Sequence, residues 1–184
     1  MAWRNDASSY GSIAKTLHWL AALCVILAWP LGTFIDDLPK RAEPAILFTH
    51  MSLGLTLLAI VLVRLGWRLG NRPPEPVPTP LGPWSHYLAT SAHWALYWLM
   101  FAVPLAGIIL EFGRGQPVPV FGLFEIASPW ARDRAFARSV KEVHELLADT
   151  LLIVAALHAC AALAHHYVLK DTTLLRMLPR RQGG

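Results

Sequence analysis

Apolar residues run along the chain in four long blocks, over 12–36, 44–69, 86–111 and 139–168, with few charges inside any of them. A block of this kind has no polar stripe to turn toward water, and about 20 helical residues rising 1.5 Å each match the hydrocarbon thickness of a bilayer. The pattern predicts four transmembrane helices: an all-α membrane protein, a four-helix bundle forming one domain over 1–184. The first block is longer than the roughly 7–15 residue core of a secretory signal, and no small-x-small cleavage site follows it before Trp29 and Pro30, so it reads as a retained helix. The proline-rich run 72–83 forbids helix and predicts a loop between the second and third spans. The connector 112–138 is long, carries several glycines and prolines, and displays Phe121, Phe124 and Trp130, which suggests a folded cap at the membrane interface.

Composition agrees with this pattern. Of 184 residues, 55% are hydrophobic and only 15% charged, and the mean hydropathy of +0.42 excludes an ordinary water-facing surface. A lipid bilayer is the expected surrounding, and no nucleic-acid partner is implied. With both termini cytoplasmic, one side holds nine basic residues (Arg4, Lys15, Arg64, Arg68, Arg72, Lys170, Arg176, Arg180 and Arg181) and the other seven (Lys40, Arg41, Arg114, Arg132, Arg134, Arg138 and Lys141). That bias favours a multi-pass protein with N-in, C-in topology. Cys24 and Cys160 fall near the middles of spans and read as small buried apolar residues.

Histidine changes the picture, because an ionisable side chain inside a membrane usually faces a bundle interior, a cofactor or a pathway. His18 falls near the cytoplasmic start of the first span, His50 near the outer start of the second, and His144 and His158 high and low in the fourth. Two therefore share each level. The 14 residues from His144 to His158 turn the helix to within roughly 40° of four complete turns and separate the two by roughly 21 Å. One helix face would thus present a ligand to each of two stacked porphyrins. Neutral imidazole ligates iron well, and two imidazoles fill both axial positions, which suits electron transfer. The pairs predicted are His18 with His158 and His50 with His144. There is no C-x-x-C-H, so such haems would be held without thioether bonds. Gly54 and Gly107 would let a macrocycle approach the backbone. His165, one heptad after His158, and His93 remain rival lower ligands; both are also candidates for contact with a haem propionate or a quinone oxygen. His86 and His166 read as surface residues.

These residues carry a family resemblance over nearly the whole chain. Tyr10 and Ser12 precede His18-Trp19; His50 is followed by Gly54, Arg64 and Arg68; His93 by Tyr97, Pro104 and Gly107; and Lys141 stands before His144-Glu145. The C-terminal run 161–179 holds Ala164-His165-His166-Tyr167, Lys170-Asp171 and Leu174-Leu175-Arg176-Met177. In these features the chain resembles the prokaryotic cytochrome b561 family, and within it the members described as superoxide oxidases. The resemblance implies two haems b on His18, His50, His144 and His158. It also implies oxidation of superoxide to oxygen on the periplasmic side, with electrons delivered to ubiquinone. Related subunits of similar layout serve hydrogenases and other dehydrogenases, so a docked redox partner protein is the alternative expectation.

A positive surface concentrates a small anion and speeds its encounter. Between Glu111 and Lys141 the chain has five basic residues, Arg114, Arg132, Arg134, Arg138 and Lys141, against the acidic Glu111, Glu125 and Asp133. Lys141, one turn before His144, and Arg138 are the candidate catalytic residues steering superoxide to the upper haem. Trp19, Arg68, His93, His165 and His166 are the quinone or propionate candidates.

Overall fold

The computed structural model describes residues 2–80 and 82–178; Pro179, Arg180 and Arg181, used in the resemblance and the charge count, lie outside the described residues. Four helices carry the fold: α1 (Ser12–Thr33), α2 (Glu43–Gly70), α3 (Pro83–Gly113) and α4 (Arg134–Tyr167). All four are long and apolar enough to cross a membrane. A short 3-10 turn, Ile35–Asp37, follows α1, and an antiparallel hairpin of β1 (Val118–Val120) and β2 (Phe124–Ile126) pairs Val118 with Ile126 and Val120 with Phe124.

The helices extend beyond the apolar blocks where polar residues can still serve a helix terminus. Pro83 sits in the first turn of α3, where its missing N–H costs nothing. The carboxylate of Asp133 accepts the backbone N–H groups of Ala135 and Phe136, so α4 begins at Arg134 rather than 139. The helix-free connector shrinks accordingly from 112–138 to 114–133. Its hairpin turns through positive φ at Phe121 and Gly122 and leaves Leu123 81% exposed and Phe124 and Phe121 half-exposed. This is an apolar finger, so the connector is folded, as expected of a cap.

α1 packs along α2, α2 on α3 and α3 on α4, whereas α1 and α4 barely touch, so the bundle is open along the seam between its first and last helices. α3 supplies the most buried residues, among them Tyr97, Leu99, Met100 and Leu110. Outward-facing Leu146, Ile153 and Leu157 on α4 and Leu62 and Val63 on α2 are more than half exposed, the arrangement of a protein whose solvent is lipid. Cys24 is buried as expected, but Cys160 is exposed, since it lies two residues past His158 and so away from the face that turns inward.

The core cluster is a single layer: Ala21, Cys24 and Val25 from α1, Leu57 and Val61 from α2, Tyr97, Leu99 and Met100 from α3, and Leu151 from α4. On every helix this layer falls between the two histidine levels. It separates a connector end, bearing the hairpin, from a terminal end, where α1 begins and α4 stops.

Candidate functional site

At the connector end the imidazoles of His50 on α2 and His144 on α4 face each other with ring centroids 6.1 Å apart. Each is seated on a different helix in the same way. His50 Nδ1 lies 2.9 Å from the carbonyl oxygen of Ala28 on α1, and His144 Nδ1 lies 3.0 Å from that of Val103 on α3. A carbonyl only accepts, so in both rings Nδ1 carries the proton and Nε2 keeps its lone pair for a metal. The residue four positions after each carbonyl is glycine, and a helical side chain covers the turn before it. A Cβ on Gly32 would come within 2.8 Å of His50 Cε1, and one on Gly107 within 3.2 Å of His144 Cε1. Both glycines therefore exist to let a ring reach the backbone. Gly107 makes room for His144 before it makes room for any macrocycle, whereas a Cβ on Gly54 would meet nothing.

Between these rings lies a cavity of about 360 Å³ lined by Gly32, Gly54, Gly107, both histidines and residues of all four helices, within the size range of cofactor sites. It reaches the α1/α4 seam, where Trp29 Nε1 donates to Asp149 at 2.9 Å.

At the terminal end His18 and His158 stand 6.2 Å apart. Two imidazoles on one metal, each bonded at about 2 Å, would hold their centroids about 6.3 Å apart, so both predicted pairs have the spacing of axial ligands. His93, the rival, joins the same cluster but lies only 5.3 Å from His158, too close for an iron between them. Among the described residues no three His, Cys, Asp or Glu side chains gather to hold a bare metal ion. Opposed pairs suit an iron that brings four ring nitrogens of its own, as haem does. The surroundings of His18 differ from those of His50: Arg64 Nη2 approaches His18 Nδ1 at 3.0 Å.

The five quinone or propionate candidates separate into groups. Trp19 Nε1 donates to the carbonyl of Met177 at 3.0 Å, and His165 Nδ1 meets the Asp171 carboxylate at 2.6 Å. The segment after α4 thus folds back over the start of α1, held also by Lys15 Nζ on the Leu178 carbonyl. Burial pushes the Asp171 carboxyl up, but hydrogen bonds from His165 and Thr173 outweigh it and hold the group below the usual carboxylate range. His165 is thereby committed to Asp171. Arg68 lies over the rings of Trp94 and Tyr97 at 5.8 and 5.9 Å, beside the His18, His93 and His158 cluster. His166 meets the Tyr167 ring edge-on at 4.7 Å and is half-buried rather than a surface residue; His86 is exposed as expected.

The basic residues of the connector converge. Arg114, Arg132, Arg134, Arg138 and Lys141 line one cleft of about 340 Å³. Gly113 and Gly115 permit this by packing directly against Phe136, Ala137 and Arg132, which brings the end of α3 onto the start of α4. Arg114 pairs with the buried Glu111 at 2.7 Å, while Lys141 has loose, exposed partners in Glu145 at 3.4 Å and Asp36 at 3.7 Å. Arg114 and Lys141 also line the histidine cavity, so the cleft and the cavity adjoin. Gly32, Ala28 and the Trp29 to Asp149 contact escaped the sequence reading; the glycines placed two and three residues after Pro30 and Pro104 were the available signal for the two seats.

Comparison with known proteins agrees with this architecture. The chain is 38% identical over 176 residues to a probable superoxide oxidase CybB of Yersinia pestis, covering 95% of this chain and 98% of that protein. It is 32% identical over 183 residues to cytochrome b561 homolog 2 of Escherichia coli, covering 97% and 95%, and 32% identical over 178 residues to a cytochrome b562 of Cereibacter sphaeroides, covering 94% and 96%. The sequence model of the family described as prokaryotic cytochrome b561 matches residues 9–180. A multi-pass membrane chain with opposed intramembrane histidines, matched along nearly its whole length, belongs to the prokaryotic cytochrome b561 family of haem b electron-transfer proteins.

Proposed function

We propose that the protein is a superoxide:ubiquinone oxidoreductase of the bacterial inner membrane, acting as one unit over 1–184 with both termini cytoplasmic. The observation that carries this reading is the adjacency of the five-cation cleft to the cavity between His50 and His144, at the end of the bundle opposite Trp19, His165 and Asp171. The name of the Yersinia relative supports the substrate.

His50 with His144, through Nε2, and His18 with His158 would each hold one haem b, which would supply a one-electron carrier at each level. Lys141, Arg138 and their neighbours draw superoxide into the cleft and hold it beside the cavity. There each superoxide gives up one electron and leaves as oxygen; no proton is needed at that end. The core layer of Val25, Leu57, Tyr97 and Leu151 excludes water between the levels, which prevents proton leakage along the same route. At the terminal end two electrons and two protons convert one quinone to quinol. Trp19 and His165 would frame the quinone head, with the His165 and Asp171 pair passing protons, while Arg68 and His93, beside His158, would be available to hold the carboxylates of a haem there. His166, edge-on to Tyr167, is left outside this set.

The test is purification in detergent, a haem-to-protein ratio, and stopped-flow mixing with superoxide and a soluble quinone. Two haems and quinone-dependent consumption by the isolated chain are expected. Lys141→Gln with Arg138→Gln should slow consumption several-fold and flatten its salt dependence, with the haem spectrum unchanged. Negligible activity alone, with co-purification of a dehydrogenase, would establish the docked-subunit alternative instead.

A further inference from the structure

Among the described residues Glu111 is a buried carboxylate, 6% exposed, and the proposed function gives it no part. A carboxylate out of water is costly unless paired. Its partner is Arg114, whose Nη1 donates to Glu111 Oε1 at 2.7 Å. The backbone around the pair is closed as firmly. α3 ends at Gly113, Gly115 turns through φ 68°, and the N–H groups of Gly115 and Gln116 bond back to the carbonyls of Phe112 and Glu111 at 2.9 and 3.0 Å, a helix end of the Schellman type. The N–H of Asp133, on the Gly113 carbonyl at 2.9 Å, ties this turn to the start of α4. Arg114 is therefore held through its backbone by the turn and through its side chain by Glu111.

The cations of the cleft differ accordingly. Arg132, Arg134 and Arg138 are exposed, whereas Arg114 and Lys141 are half-buried, and these two also line the histidine cavity. A guanidinium presents its N–H donors in one plane. With Nη1 on Glu111, donors remain for a second acceptor, and a fork already fixed loses less freedom on binding an anion than a mobile ammonium does. Charge alone would be better served without Glu111, which subtracts from the field that attracts an anion. We propose that Arg114, held by Glu111, is the residue that binds superoxide where the cleft meets the cavity, while the exposed Arg132, Arg134 and Arg138 only steer it there. Arg114 touches the substrate; Glu111 acts through it and is a positioning residue. The inference rests on the superoxide reading.

The experiment is stopped-flow mixing of superoxide and a soluble quinone with purified wild type, Glu111→Leu, Glu111→Gln and Arg114→Lys, at low and high salt, with the haem-to-protein ratio of each measured beside it. Glu111→Leu and Glu111→Gln remove the same negative charge, but only the amide still offers Arg114 an acceptor. Glu111→Leu should slow superoxide consumption about tenfold at both salt concentrations, the scale of one lost charge-assisted contact, and Glu111→Gln distinctly less. Arg114→Lys keeps both charges, so it should be slowed likewise while retaining the salt dependence of the wild type. Equal rates in the two Glu111 variants overturn the proposal, and equal acceleration at low salt would identify a cleft acting by net charge alone. Arg114→Lys at the wild-type rate overturns it too, a result that stands even where Glu111→Leu fails to fold. So does a slowed Arg114→Lys whose haem content has fallen in proportion, which would mark the ion pair as structural. A wild type that consumes no superoxide overturns the superoxide reading itself, whereas an active wild type with unchanged variants overturns only the assignment of Arg114 and Glu111.

Discussion

The connector-end and terminal-end histidine pairs have nearly the same spacing, 6.1 and 6.2 Å, yet the fold holds them by different means. At the connector end the backbone does the holding: each ring lies on a glycine of a neighbouring helix with Nδ1 on a carbonyl oxygen. At the terminal end side chains do it, with Arg64 on His18, Trp19 edge-on to His18 at 5.3 Å and His93 against His158. A backbone seat fixes one tautomer and admits little adjustment. A side-chain seat can carry charge, and it lies beside the segment where His165 and Asp171 place acid–base chemistry. On the proposed function, the same ligand spacing is built rigidly where only an electron would pass and adjustably where protons would also be taken up.

The largest expected effect breaks one pair and spares the other. His144→Ala should reduce the haem-to-protein ratio from two to one and leave the terminal-end haem's spectrum in place; His18→Ala should do the reverse. A pyridine haemochrome assay reads both. Loss of both haems from either variant would show that the pairs are not independent, against the separation that the core layer provides.

Next come the seats themselves. Gly32→Ala places a Cβ within 2.8 Å of His50 Cε1, an overpacking that costs about 1–3 kcal/mol and must push the ring off the Ala28 carbonyl. Haem occupancy should fall at the connector end alone. Gly66→Ala, where a Cβ would meet nothing within 4 Å, should leave both sites filled and raise helix stability by up to about 1 kcal/mol. Equal loss in the two variants would remove the backbone-seat account.

At the terminal end, Asp171→Asn should slow quinone reduction a few-fold while leaving the first reduction of haem by superoxide unchanged in stopped flow. The carboxyl of Asp171 is held below its usual range, so what it contributes to folding the C-terminal segment is present above the ordinary carboxylate pKa and is lost as pH falls through the lowered value. Quinone turnover of the wild type should accordingly show no change from Asp171 titrating near neutral pH, and fail only in acid.

Much of this comparison was legible in the sequence. The four apolar blocks and the near-integral turns from His144 to His158 depend on helix geometry alone, and the helices follow them. The pairing of His18 with His158 and of His50 with His144 required only that spans alternate in direction. The glycine seats were not legible in full, because Gly32 matters through its position opposite a ring on another helix, and no periodicity within α1 records that. The cleft was half visible: the five basic residues could be counted, but their convergence depends on Gly113 and Gly115 closing α3 onto α4. Helix starts at Pro83 and Arg134 were hidden by a reading tuned to apolar residues, which does not see capping.

The smallest predicted effect concerns the open seam between α1 and α4. There Trp29 on α1 donates to the carboxylate of Asp149 on α4 at 2.9 Å, a hydrogen bond across a boundary with little other packing, and both residues line the connector-end cavity. Trp29→Phe keeps most of the apolar area and removes only the donor, which leaves a carboxylate without that partner; a hydrogen bond to a charged group contributes about 1.5–3 kcal/mol when buried, and less at this exposed position. Thermal release of the connector-end haem should shift down by a few degrees, with the terminal-end haem unaffected. Asp149→Asn, which still offers an acceptor, should shift it less. If both variants lowered the two release temperatures equally, the contact would be holding the whole bundle together rather than closing the side of one site.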